Sequence, residues 1–279
     1  MRGINCVVSI VFLICFLFGG NVLARKNDTL HVYNVNRKVE LPLTLGLFGI
    51  SVWGYNYLGN KEGVSFATAQ NLRPENVWWF DRPATKQDAS FRGRANNISD
   101  IVLNSTVALP ALLGFDKNIR KDWFDILLLY GESHAVNSDF YILNSALISR
   151  ARPFNYNPDV PVEEKVANES RNSFYSGHVS STAAASFFMA KVYSDYHPEL
   201  GNKKYWLFAA AAVPASVVGL YRYKAMKHFP TDILVGFTVG AATGFLIPHL
   251  HKIKKEGSAW SIVPFAGKIS GFQITYTPR

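Results

Sequence analysis

Six apolar runs of helical length, separated by polar loops, constrain the fold of this chain more than any other feature. They are "LPLTLGLFGISVWGYNYLG", "DIVLNSTVALPALLGF", "WFDILLLYGESHAVNSDFYILNSALIS", "HVSSTAAASFFMAKVYSDY", "YWLFAAAAVPASVVGLY" and "TDILVGFTVGAATGFLIPHL". Runs of this length predict helices, so the expected fold is all-α, a bundle of about six core helices, mostly membrane-embedded. The third run reads as a helix interrupted by the polar patch Glu132 to Asp139. The fourth carries small residues along one side. The sixth places Gly236, Gly240 and Gly244 at i, i+4 and i+8, and both patterns suit close helix packing. The tail "SAWSIVPFAGKISGFQITYTPR" alternates and is rich in β-branched and aromatic residues, which predicts a short strand or hairpin. The resulting division is a leader over 1–24, a polar segment over 25–40, the bundle over 41–250 and a basic, β-like tail over 251–279.

At 279 residues the chain can bury one good core. Its apolar content is 48%, yet its mean hydropathy is only +0.04, because polar loops dilute the concentrated apolar runs. The first segment has one Arg, an apolar run and "NVLA" before Arg25. That reads as a secretory signal cleaved after Ala24, with an uncleaved membrane anchor as the rival. Cys6 and Cys15 both lie in this segment, so the remainder can build neither a disulfide framework nor a thiolate metal site. The net charge of +9 calls for an anionic partner. The basic residues form short clusters rather than one stripe, and no nucleic-acid motif is present, which leaves a membrane surface or a phosphorylated substrate.

Basic clusters follow alternate runs: Lys117, Arg120 and Lys121; Lys203 and Lys204; Lys252, Lys254 and Lys255. The positive-inside rule gathers them in the cytoplasm and gathers the loop before His178 and the loop Arg222 to Asp232 at the opposite face. That orientation requires the first segment to stay as a span; cleavage would turn the site inward. Between the first two runs, Trp78, Trp79 and Phe80 beside charges suit either the headgroup level of a membrane or an amphipathic surface helix.

Three stretches at the ends of apolar runs carry the chemistry. "SRARPFNY" offers Arg150 and Arg152, paired guanidiniums that suit phosphate oxygens, although a solvated basic loop would look the same. In "SFYSGHVSS", Ser176 and Gly177 open a helix whose N-terminus and backbone amides make an anion site, with His178 beside it. "YRYKAMKHFPTD" spaces Arg222, His228 and Asp232 as R-x5-H-x3-D, with Pro230 and Asp232 in the first turn of the last helix. There Asp232 could accept the Nδ1–H of His228, leaving Nε2 free as a nucleophile. A Ser-His-Asp hydrolase is rejected, because Ser176 and His178 are too close in sequence and no G-x-S-x-G is present.

In this order the three stretches resemble the type 2 phosphatidic acid phosphatase superfamily, which includes bacterial class A acid phosphatases and vanadium haloperoxidases. That family shows K-x6-R-P, P-S-G-H and S-R-x5-H-x3-D, matched here at Arg152 and Pro153, at Ser176, Gly177 and His178, and at Arg222, His228 and Asp232. The match departs at Ser145, where the family has Lys, at Tyr175, where it has Pro, and at Tyr221, where it has Ser. The resemblance implies that His228 attacks phosphorus with Asp232 orienting it, and that His178 protonates the leaving alkoxide and then activates water. It also implies that Arg152, Arg222, Ser176 and Gly177 hold the phosphoryl oxygens, with Arg150 supplying part of the missing lysine's charge. No metal or cofactor is implied, and the sequence offers no H-E-x-x-H cluster; His134 in the polar patch reads as a packing residue. The implied substrate is a lipid phosphate in a bacterial cell envelope, processed at the periplasmic face. Lipid A, undecaprenyl pyrophosphate, phosphatidylglycerophosphate and phosphatidic acid are all admissible. The alternatives are a soluble periplasmic acid phosphatase or vanadate-dependent haloperoxidase on the same fold, and an inactive lipid-binding or transport protein.

Overall fold

A computed structural model describes residues 31–253, 260–265 and 271–276; the expected leader over 1–24 and both cysteines lie outside them. Among the described residues, six long helices follow the six apolar runs: α1 (Arg37–Gly59), α2 (Arg92–Ala108), α3 (Trp123–Leu147), α4 (Gly177–Tyr196), α5 (Lys204–Lys224) and α6 (Pro230–His251). Short helical turns and a hairpin, β1 (Trp260–Phe265) antiparallel to β2 (Gly271–Tyr276), complete them, and the hairpin falls where the tail predicts it. Local chemistry sets the ends. Asn36 caps α1 through the Lys38 amide, and Pro230 opens α6, where its missing N–H costs nothing.

The polar patch does not interrupt α3, which runs unbroken for 25 residues. Two of its polar side chains reach neighbouring helices instead. Asp139 accepts from Ser51 Oγ of α1 at 2.7 Å, and Asn137 donates to Ser180 Oγ of α4 at 3.3 Å. His134 packs edge-on against Tyr130, with ring centroids 4.6 Å apart.

Helices α4 and α6 form the closest pair, and the glycine stripe is the reason. A Cβ at Gly236 would lie 2.6 Å from the Ser176 carbonyl, one at Gly240 2.0 Å from that of Ser180, and one at Gly244 2.2 Å from that of Ala184. Only hydrogen at these positions lets the two backbones touch.

Among the described residues, three stretches are long and apolar enough to cross a membrane: Ala89–Phe115, Pro198–Lys224 and Pro230–His251. Large apolar side chains, among them Leu45, Trp53, Leu143, Trp206 and Leu250, point outward from the bundle. An exposed apolar exterior of this kind is that of a membrane protein, and a soluble protein would have to leave it in water. Trp78, Trp79 and Phe80 sit in a turn with their rings exposed and mutually packed, rather than on the amphipathic helix that was one of two expectations.

The two ends of the bundle are chemically distinct. At one end His31 meets Asp122, Asp116 meets His197, Asp195 meets both Lys191 and Lys252, and the Asn34 amide meets the His251 carbonyl. The basic clusters at 117–121, 203–204 and 252 gather there, as their spacing predicts, while Lys254 and Lys255 lie outside the described residues. The loop before α4 and the loop from α5 to α6 share the other end.

Candidate functional site

At that other end the amide of Ser176, just before α4, donates to the carbonyl of Asp232 on α6 at 3.0 Å. This bond and the glycine stripe clamp the second and third sequence stretches together. The first joins them through backbone pairing, as the Arg152 amide donates to the Ser170 carbonyl and the Ser173 amide to the Arg150 carbonyl.

His228 is 2% exposed, and its Nδ1 lies 2.7 Å from the backbone carbonyl of Ser173. A carbonyl can only accept, so Nδ1 carries the proton and Nε2 keeps its lone pair. Burial, followed by the positive fields of Arg152 and Arg222, holds this imidazole well below its ordinary pKa and so neutral. The expected contact between His228 and Asp232 is therefore not the one found. Asp232 is fully buried and instead accepts from Ser173 Oγ at 2.6 Å, from the Phe229 amide at 2.9 Å and from Arg150. It fixes Ser173, whose carbonyl fixes His228; sequence spacing could not reveal the intermediary.

Arg150 also departs from expectation. Its guanidinium is committed to Asp232, to Asp81 Oδ2 at 2.6 Å and to Thr231 Oγ1 at 2.9 Å, and it lies 4.2 Å over the Phe229 ring. Two buried carboxylates need this cation, so both of its terminal nitrogens are already committed within the protein. Asp81, 1% exposed, also accepts from the Thr231 amide and hydroxyl, so it pins the start of α6.

The remaining cations face differently. Arg152, 6% exposed, spends only Nε, on the Glu169 carbonyl at 2.9 Å. Arg222, 4% exposed, donates Nη1 to Asn96 at 2.8 Å, while its Nε is buried with no partner in the protein. Ser176 Oγ is likewise buried and unpartnered, and it does not cap α4. The Ser176 amide is used by Asp232, so the amides open to an anion start at Gly177. Lys227, which sequence reasoning passed over, lines a cavity of about 140 Å³ with Arg152 and Arg92. Burial, with Arg152 and Arg222 close by, lowers its ammonium to about 7.

His178 stands on the first turn of α4, with Nε2 2.9 Å from Asp100 Oδ1 of α2. Asn96, one turn earlier on α2, bonds both Asp100 and Arg222. These two residues were not legible either, because nothing in the sequence says which face of α2 meets α4. At the departures, Ser145 is buried, its hydroxyl 3.3 Å from the Phe174 carbonyl, and its own carbonyl accepts from Lys61. Tyr175 is buried edge-on against Tyr141.

A family match agrees with the resemblance carried by the three stretches: residues 126–256, somewhat less than half of the chain, fit the PAP2 superfamily. More particularly, the chain is 31% identical over 139 residues to phosphatidylglycerophosphatase B of Bacillus subtilis (strain 168). That alignment covers 49% of this chain and 63% of the relative, so less than two thirds of the relative's length is spanned. Among solved structures, the chain is similar to a transmembrane PAP2 type phosphatidylglycerolphosphate phosphatase from Bacillus subtilis. There the identity is 24% and the TM-score 0.43, covering 73% of this chain and 93% of that one.

Proposed function

We propose that this protein is a membrane phosphatase that removes a phosphate from a lipid phosphomonoester through a phosphohistidine. The observation that carries the reading is the neutral, oriented His228 beside Arg152, Arg222 and the unpartnered Ser176 hydroxyl. Nε2 of His228 attacks phosphorus while the bond from phosphorus to the lipid oxygen breaks, and His178 gives that oxygen a proton. Water then attacks the phosphohistidine, His178 takes its proton, and the P–N bond breaks to release phosphate. Arg152, Arg222 and the Gly177 amide hold the equatorial oxygens as charge shifts. Lys227 supplies the positive charge that Ser145 does not, and Arg150 has no place in the phosphate shell. Because these groups carry the charge, release is expected to persist in EDTA.

Within lipid phosphates, phosphatidylglycerophosphate leads, because the relative's name specifies it. The exposed rings of Trp78, Trp79 and Phe80 suit headgroup depth at the site end, and the basic end suits the cytoplasm, which turns the site toward the periplasm. The deciding experiment measures phosphate release by detergent-solubilised protein. Its panel comprises phosphatidylglycerophosphate, phosphatidic acid, lipid A, undecaprenyl pyrophosphate and a soluble aryl phosphate, each repeated with His228→Ala. Release from a lipid that vanishes in the variant is expected. Folded protein silent on every lipid would overturn the reading in favour of lipid binding, and activity on the aryl ester alone would point to an acid phosphatase.

A further inference from the structure

We propose that the basic end of the bundle holds a divalent transition-metal ion between Glu40, Glu132 and His251. Glu40 stands in the first turn of α1, Glu132 in the middle of α3 and His251 at the last turn of α6. Their nearest ligand atoms lie within 4.8 Å of one another. His251 Nε2 is 3.4 Å from Glu40 Oε1 and 3.9 Å from Glu132 Oε2. Those separations are too long for charge-assisted hydrogen bonds, which close to about 2.7–2.9 Å. They match atoms sharing one ion, which stand about 3.0 to 4.2 Å apart when each bond is about 2.1 Å.

Two independent features point the same way. Glu132 is 6% exposed and its Oε2 has no hydrogen-bond partner, so a buried carboxylate oxygen faces the gap unsatisfied. His251 Nδ1 donates to the Ile247 carbonyl at 2.9 Å, which fixes the tautomer whose Nε2 lone pair faces the carboxylates. That backbone contact is the arrangement that orients metal-bound imidazoles. Charge agrees as well, since a divalent ion neutralises two carboxylates beside a neutral imidazole. One nitrogen and two oxygen ligands suit Zn²⁺ or Mn²⁺, with water completing the shell. By helix rise, Glu132 is roughly 20 Å from Ser145 along α3, so this ion stands apart from phosphate chemistry and ties α1, α3 and α6 together.

Tag-free, full-length protein in detergent would be stripped with chelator, then titrated with Zn²⁺ and separately with Mn²⁺, with bound metal counted by mass spectrometry. One equivalent of either ion is expected, together with a rise in thermal midpoint. Affinity should fall at least tenfold in Glu132→Gln, Glu40→Gln and His251→Ala, and stay unchanged in the double variant His178→Ala, His228→Ala. Glu40→Gln, at a partly exposed position, covers the case in which the others fail to fold. No binding to folded wild-type protein, or equal binding in Glu132→Gln, would overturn the proposal and leave an ion pair in its place.

Discussion

The two ends of this bundle use the same residue types to opposite purposes. At the basic end the partly buried cations and acids are paired: Lys191 and Lys252 share Asp195, Arg37 holds Asp125, and His197 lies between Asp116 and Glu199, while the basic clusters around them stay at the surface. At the site end the acids are sorted into two layers. Asp81 and Asp232 are buried behind Arg150, while Arg152 and Lys227 line a cavity without a close ion pair among the described residues, although Glu164 and Glu169 stand on its wall. The difference teaches that abundance of basic residues is not the functional signal. A site for an anion is marked by cations whose compensating charge has been withdrawn.

The sharpest way to break this contrast is His228→Ala, expected to lower lipid phosphate release by on the order of 10⁵-fold with the helical circular dichroism unchanged. A loss below tenfold would sink the nucleophile assignment. Arg150→Ala comes next. It strands Asp81 and Asp232 without their cation and should destabilise the fold by roughly 3–5 kcal/mol, read as the midpoint of denaturation in detergent. If it instead raised KM with stability intact, Arg150 would return to the phosphate shell.

Lys227→Ala should reduce kcat/KM by about 10²-fold, as removal of one oxyanion donor does. Its pH behaviour is the finer test. A lysine lowered to about 7 is charged below that value and neutral above it, so the wild-type KM should rise as pH climbs through about 7. The variant should lose that rise. The smallest effect belongs to the matched end: Lys252→Ala removes a pair whose lysine is 41% exposed, and should cost less than about 1 kcal/mol. It should leave phosphate release unaltered.

Much of the architecture was legible. Helix-length apolar runs gave all six long helices, because periodic burial is a local property. The spacing of Gly236, Gly240 and Gly244 marked a close-packing face on α6, although α4 as its partner became visible only in the fold. The three motif stretches met at one end, because each closes or opens a helix there. What stayed hidden depends on which faces turn toward each other. Asp100 and Asn96 lie on an α2 face whose partner no spacing names. Asp232 reaches His228 through a Ser173 carbonyl that sequence cannot orient. The polar patch on α3 read as a break because hydropathy averages count Glu132, Asn137 and Asp139 as losses, whereas neighbouring helices turn Asn137 and Asp139 into cross-links.

The backbone seam between α4 and α6 has a consequence for turnover. Where carbonyls stand within 2.0 to 2.6 Å of any added Cβ, the two helices have no slack and cannot slide past each other. The loop carrying His228 and the first turns of α4 and α6 thus sit on one rigid block, and their spacing is already fixed before anything enters the site. The aromatic turn at 78–80 belongs to the same block, since the neighbouring Asp81 pins the start of α6. Asp100 and Asn96 reach in from α2 through side-chain contacts to His178 and Arg222. The end that gathers the three stretches is therefore preassembled, its geometry set by backbone contacts rather than by the arrival of a ligand.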